Sequence, residues 1–144
     1  MAGNHTETTN KNKEFLIHDL GLKQHRNTTI FTKDDIFILS PSVGNQYNWF
    51  DIRQVNIEKF TSKYNKGFLL IRFFNELLLA DLREFISSII DINKFADTKN
   101  SGVHWKFRIY NSSSDDSYKI VNLISKKEFE ISIVEEKGIK LKLI

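Results

Sequence analysis

The sequence predicts a single α+β domain, built mainly of antiparallel strands and hairpins with two or three short helices. The run from Val103 to Ile109 alternates apolar and polar side chains, which is typical of a half-buried strand. Apolar side chains recur at helical spacing between Arg83 and Ile92. The only proline, Pro41, lies in a turn-like segment and interrupts none of the predicted strands.

The amino-acid composition indicates the class of protein independently of any motif. The 144 residues are 40% hydrophobic and 27% charged, as expected for one globular domain. The absence of cysteine excludes zinc–thiolate sites, iron–sulfur clusters and cysteine nucleophiles, and it favours a cytoplasmic location. Charged and amide side chains interrupt the longest apolar stretch, Gly67 to Leu82, so no membrane span is expected. Abundant Asn, Ile and Lys indicate an AT-rich bacterial or phage genome.

The first third of the chain is predicted to form a tail and then strands. Residues 1–12 are polar and without periodicity, so they read as a disordered tail before a domain over 13–144. Thr28 to Thr32, Asp35 to Leu39 and Tyr47 to Val55 are rich in β-branched and aromatic residues. A loop with proline and glycine joins the last two runs, which are therefore predicted to form a hairpin.

Helices and strands alternate in the rest of the chain. The spacing predicts a helix over Ile57 to Tyr64, with Asn56 as its N-cap, and a second over Arg83 to Ile92. Between them, a hairpin is predicted from two runs, and four further strands are predicted in the C-terminal third. These runs are Phe68 to Phe74 and Leu77 to Leu82, then Val103 to Ile109, Tyr118 to Ile124, Phe129 to Val134 and Ile139 to Ile144.

The first predicted hairpin carries the candidate site. An antiparallel register that sets Asp35 opposite Arg53 also sets Phe37 opposite Asp51. Because side chains alternate faces along a strand, the two carboxylates and the guanidinium then share one face. Carboxylate oxygens are the ligands that hard divalent cations prefer, so Asp35 and Asp51 are predicted to hold Mg²⁺. Such an ion polarises a phosphate and activates a water molecule.

This pattern resembles the core of the restriction-endonuclease-like, PD-(D/E)xK, nucleases. In that family an acid on one strand is followed by acid-x-Lys on the next, then by a helix and a strand. The resemblance implies that Asp35 and Asp51 are the catalytic, metal-binding acids and that Arg53 stands in the place of the catalytic lysine. No proline precedes Asp35, and a guanidinium stays protonated and cannot act as a base. The resemblance therefore implies either a metal-dependent endonuclease or an inactive descendant, in a bacterial or phage defence or mobile-element setting.

Other residues favour nucleic-acid binding or a purely structural role. Lys33 lies beside the predicted hairpin, and Lys106 and Arg108 share the polar face of the Trp105 strand, where they are predicted to contact phosphates. The alternative role for Asp35, Asp51 and Arg53 is a purely structural ion-pair cluster. No glycine-rich phosphate loop is present, and no two histidines have the spacing of a metal pair.

Two functions follow from the sequence. The first is a nucleic-acid-acting protein with a metal-dependent, endonuclease-like core, with DNA as partner and Mg²⁺ as cofactor. The second is a small non-enzymatic β-rich module that binds or inhibits another protein, or pairs with its own copy, through a strand edge or an aromatic patch.

Overall fold

Eleven strands form one sheet in the described part of the chain. The computed structural model describes residues 2–143, with side chains from His5 to Leu143. The strands in this part are Lys23–Gln24 (β1), Ile30–Lys33 (β2), Ile36–Leu39 (β3), Ser42–Val43 (β4), Trp49–Arg53 (β5), Lys66–Phe73 (β6), Glu76–Asp81 (β7), Ala96–Thr98 (β8), Gly102–Asn111 (β9), Ser117–Asn122 (β10) and Glu128–Val134 (β11). They join in one sheet in the order β1-β2-β3-β6-β7-β11-β10-β9-β5, with β4 beside β6 and β8 beside β9.

The fold is a single α+β domain, as predicted, but the sheet is mixed rather than wholly antiparallel. β3 and β4 both run parallel to β6, and the other paired strands are antiparallel. The α-helices of the described residues are Ala2–Glu14 (α1), Gln54–Ile57 (α2), Leu82–Ile89 (α3) and Glu136–Lys142 (α4). A π-helical turn, Phe15–Asp19, continues α1.

The two faces of the sheet carry separate apolar clusters. On one face α3 packs Phe85 and Ile89 against inward side chains of the strands, such as Phe107. On the other face the π-helical turn and α4 cover β3, β6 and β7, with Phe15 and Ile139 among the buried residues. Strands β5, β9 and β10 contribute described residues only to the first cluster, so no helix packs an apolar side against their outward face.

The predicted hairpin between residues 35–39 and 47–55 is wrong. Strand β3 forms its hairpin with the preceding strand β2, through a turn in which Asp34 has a φ of 53°. This two-residue turn sets Lys33 opposite Ile36, a geometry in which Asp tolerates positive φ. The segment after β3 does not fold back on it, because Ser42–Val43 pairs in parallel with β6 instead. Strand β5 then pairs with β9, about fifty residues further along the chain.

Several predicted elements are confirmed. The β6–β7 hairpin pairs Phe73 with Glu76, and α3 follows it, with the side chain of Asp81 accepting a hydrogen bond from the Glu84 amide (2.9 Å). Strand β9 has the predicted alternation from Trp105 onward, with Trp105 buried and Lys106 exposed, but His104, which the alternation places on the polar face, is buried.

The predicted helix over Ile57–Tyr64 is wrong in extent. Helix α2 ends at Ile57, and the chain continues in turns in which the Phe60 amide bonds to the Ile57 carbonyl (3.0 Å). These turns direct the rings of Phe60 and Tyr64 onto Phe37, with ring centroids 5.0 and 5.2 Å from it. Aromatic packing therefore replaces the helix here.

The predicted strand Ile139–Ile144 is wrong, because Glu136–Lys142 forms α4; Ile144 lies outside the described residues. The Leu143 amide bonds to the Ile139 carbonyl (3.3 Å), and both residues pack on one apolar cluster. Leu141, between them, is 67% exposed. The apolar spacing of four residues is helical, and a strand would have buried Leu141 with its neighbours.

The N-terminal segment also differs from the prediction. The sequence predicts a disordered tail over residues 1–12, and residue 1 lies outside the described part, but Ala2–Glu14 is helical. Thr8 and Asn12 are buried, and the Asn12 amide nitrogen donates to the Ser40 hydroxyl (2.9 Å). This polar contact, which composition does not reveal, attaches the helix to the sheet.

Candidate nucleic-acid interface

The three predicted catalytic residues are not brought together by strand pairing. The carboxylate of Asp35 accepts a hydrogen bond from the Asn65 amide nitrogen (3.0 Å) at the end of β3 that meets β6. Asp51 and Arg53 lie on β5, whose paired neighbour is β9. The guanidinium of Arg53 donates to the Ser101 carbonyl (3.0 Å). The register that placed Asp35 opposite Arg53 is therefore wrong.

Because that register is wrong, strand pairing gives no basis for a Mg²⁺ site formed by Asp35 and Asp51. Asp51 pairs with Lys106 across the β5–β9 ladder, with 3.4 Å between carboxylate and ammonium. Within the described part of the chain, no three His, Cys, Asp or Glu side chains form a group that could hold a metal ion. Binding of Mg²⁺ stays a prediction. Asp35 in the turn before β3 and Asp51 on β5 are not placed together by strand pairing, so they form no shared site for it.

The outward face of β5 and β9 brings other side chains together. We define the β5–β9 surface as the outward side chains of Tyr47, Trp49, Arg53, Lys106, Arg108 and Tyr110. Trp49 lies directly opposite Arg108, and Asp51 lies opposite Lys106. The surface thus alternates aromatic rings with cations, and Asp51 is the acid among them.

A stacked aromatic pair projects from one end of this surface. The rings of Tyr47 and Trp49 lie 4.5 Å apart at an interplanar angle of 21°, and each residue is 47% exposed. The side chain of Asn45 fixes them: its oxygen accepts from the amides of Tyr47 and Trp49 (both 3.1 Å). Its nitrogen donates to the Trp49 carbonyl (2.9 Å). Large exposed rings that are stacked on a hydrogen-bonded loop are typical of a stacking platform.

The cations beside the platform, Lys106 and Arg108, contact other side chains of the protein, but these contacts do not neutralise their charge. The guanidinium of Arg108 lies over the Tyr110 ring, 5.0 Å from its centroid, and its buried Nε has no hydrogen-bond partner among the described residues. The Lys106–Asp51 pair is about half exposed on both sides, and such pairs contribute at most about 1 kcal/mol. Lys106 can therefore exchange Asp51 for a phosphate at small cost.

The three residues predicted to contact nucleic acid lie in two separate parts of the sheet. Lys106 and Arg108 lie together on β9, as predicted. Lys33 lies at the end of β2, and five strands stand between β2 and β9 in the sheet order. Sequence reasoning missed Asn45 and Tyr47; the signal for them was an amide and two aromatic residues spaced by two positions, where the predicted loop meets the predicted strand.

A cleft of about 430 Å³ adjoins this surface. Helix α1 and the segments from β1 to β4 form one wall, and β5 forms the other. Trp49 and Lys106 line the cleft as well as the surface, so the two regions are continuous.

Comparison with known proteins gives no match to a family model, to a curated protein or to a solved structure. No helix in the described part of the chain has the length and apolarity needed to cross a membrane. The function is therefore inferred from the side chains of this chain.

Proposed function

We propose that this protein binds single-stranded nucleic acid on the β5–β9 surface. The observation that carries the proposal is the stacked, half-exposed Tyr47–Trp49 pair next to Lys106 and Arg108. Aromatic rings stack on unpaired bases, and the neighbouring cations follow the phosphate backbone. Both elements are needed for sequence-tolerant binding, and both occur within two neighbouring strands.

The rings favour a single strand over a duplex. The bases of a duplex are stacked on one another, so a protein ring reaches their faces only by unstacking them, which costs a few kcal/mol. Unpaired bases can be splayed out and stacked on Tyr or Trp directly. The proposal therefore replaces the predicted DNA partner by a single strand, of either DNA or RNA.

Metal-dependent cleavage is kept as a prediction from the nuclease resemblance and does not enter this proposal. Of the acids that the resemblance names, Asp35 lies in the turn before β3 and Asp51 lies on β5, which does not pair with β3; Asp51 faces Lys106. Adding Mg²⁺ to the binding assay and resolving the oligonucleotide on a gel tests cleavage separately.

Strand addition by a protein partner has less support at β5. An added strand would pair with backbone groups along the free edge of β5. The backbone amide and carbonyl of Trp49 are already bonded to the Asn45 side chain. An incoming strand requires such groups to be free, so the Asn45 side chain protects part of this edge. A protein partner elsewhere, or a homodimer, stays a prediction.

The test is the affinity of Trp49→Ala for a labelled single-stranded oligonucleotide of about ten nucleotides, which matches common site sizes. Loss of one stacked base should raise Kd roughly 5- to 150-fold, measured by fluorescence anisotropy at low ionic strength. Phe95→Ala, which removes a ring that is 42% exposed in the loop before β8, is the matched control and should bind as the wild type does. Equal affinities of both variants, or no binding by the wild type, would overturn the proposal and favour the interaction module.

A further inference from the structure

The cleft beside the β5–β9 surface is rich in unused hydrogen-bond donors. His5, Thr9 and Lys13 recur every four residues on α1, so they share the helix face that lines the cleft. Beside the helix, in the segments from β1 to β4, Thr29 and Ser42 contribute hydroxyl groups to the cleft. Within the described residues, no side-chain hydrogen bond or ion pair engages any of these five groups.

The charge of the cleft favours an anion. Lys13 and Lys106 line it together with one carboxylate, that of Asp51, which already faces Lys106. The ammonium of Lys13 therefore has no acid opposite it in the cleft. Unpaired hydroxyl groups beside a free ammonium are the donors that phosphate oxygens accept from.

The size and position of the cleft narrow the ligand. Its volume of about 430 Å³ is at the lower end of small-ligand sites, about 300–1,000 Å³, which suits one nucleotide rather than several. Because Trp49 and Lys106 belong to both regions, a strand stacked on the platform reaches the cleft with its next nucleotide. A terminal phosphate monoester carries a charge of about −1.5 to −2, and an internal phosphodiester carries only about −1.

We propose that this cleft binds the terminal phosphate of the single strand whose bases stack on Tyr47 and Trp49. The inference rests on the proposed function and adds the recognition of a phosphorylated strand end. Lys13 supplies the charge, and Thr29 and Ser42 supply neutral donors from the segments before β2 and in β4.

The experiment compares one oligonucleotide with a 5′-phosphate, with a 3′-phosphate and with neither, by anisotropy with the full chain. We expect one of the two phosphorylated forms to bind about five-fold more tightly than the unphosphorylated form. Lys13→Gln should abolish this preference. Lys11→Gln is the matched control, because Lys11 lies on the same helix but donates to Asn75 (3.3 Å) outside the cleft, and it should keep the preference.

Two further arms keep the outcomes distinct. Thr29→Val removes a hydroxyl group from the cleft at a position outside α1, so a reduced preference in this variant excludes mere unfolding of the helix as the cause. A free mononucleotide should compete only weakly, because it lacks the stacked bases. Equal binding of all three oligonucleotides, or equal effects of the two lysine variants, would overturn the cleft proposal. If Trp49→Ala still weakens binding in that case, the proposed function stands without it.

Discussion

Among the described residues, Arg72 is the one Lys, Arg, Asp or Glu that is buried. Its side chain is 2% exposed and lies beneath the π-helical turn, with the guanidinium 5.5 Å from the centroid of the Phe15 ring. Its partner is Glu136 at the start of α4, 3.6 Å away, and Nε and Nη2 have no hydrogen bond among the described residues. Burial lowers the pKa of Arg72, and the charge of Glu136 opposes that shift. The desolvated guanidinium is therefore incompletely compensated.

This arrangement predicts opposite effects for the two partners. Glu136→Gln should lower the free energy of unfolding by about 1 kcal/mol, because it leaves the buried guanidinium without its anion; the half-exposed carboxylate keeps the loss below that of a fully buried pair. Arg72→Met should be neutral or stabilising, because an apolar side chain of similar length removes the buried charge. Urea unfolding of both variants measures this. A larger loss for Arg72→Met than for Glu136→Gln would show that the pair is a net stabilising contact.

At the scale of elements, the approach of Phe60 to β6 requires a glycine. A Cβ atom added at Gly67 would lie 2.1 Å from Cζ of the Phe60 ring. That ring is packed on Phe37 on one side, and the Arg83 guanidinium lies 4.6 Å from its centroid. The ring therefore has little freedom to move away, and the turn after α2 depends on the missing side chain.

Two glycine substitutions test this. Gly67→Ala should destabilise the protein by about 1–3 kcal/mol, the usual cost of overpacking. Gly138→Ala is the matched control, because no atom lies within 4 Å of its added Cβ in α4, and it should stabilise by about 0.5–1 kcal/mol through helix propensity. Thermal unfolding of the two variants separates the effects. A Gly67→Ala protein as stable as the wild type would contradict the close packing of Phe60 on β6.

The elements predicted from the sequence are those whose contacts are local. Helix α3 and the β6–β7 hairpin follow from spacing and a short turn, and β9 follows from its alternation. The partner of β5 was not predictable, because Trp49 pairs with Arg108 far along the chain and the alternation within β5 does not specify which strand lies beside it. The candidate catalytic site depended on this pairing. Lys106 and Arg108 needed only the alternation of one strand, which is why the sequence identified them.

At the scale of the whole molecule, the net charge of +3 is small, so binding depends on where cations gather rather than on their number. Lys106, Arg108 and Arg53 lie on the β5–β9 surface, and three phosphate contacts to a single strand give a slope of about −2 for log affinity against log salt. We therefore expect the proposed binding to this surface to be modest and sensitive to salt, with stacking on the aromatic pair as the salt-independent part.

The two tryptophans allow the central claim to be tested directly. Trp49 is 47% exposed on the platform, whereas Trp105 is 3% exposed and its indole nitrogen donates to the Asp91 carbonyl (2.9 Å). Titration with a single-stranded oligonucleotide should quench the fluorescence of Trp49 and protect it from acrylamide, leaving the emission of Trp105 unchanged. In Trp49→Phe the quenching should disappear, although binding should persist because the Tyr47 ring is still present. Tight binding with no change in the acrylamide accessibility of Trp49 would contradict the β5–β9 surface as the binding site.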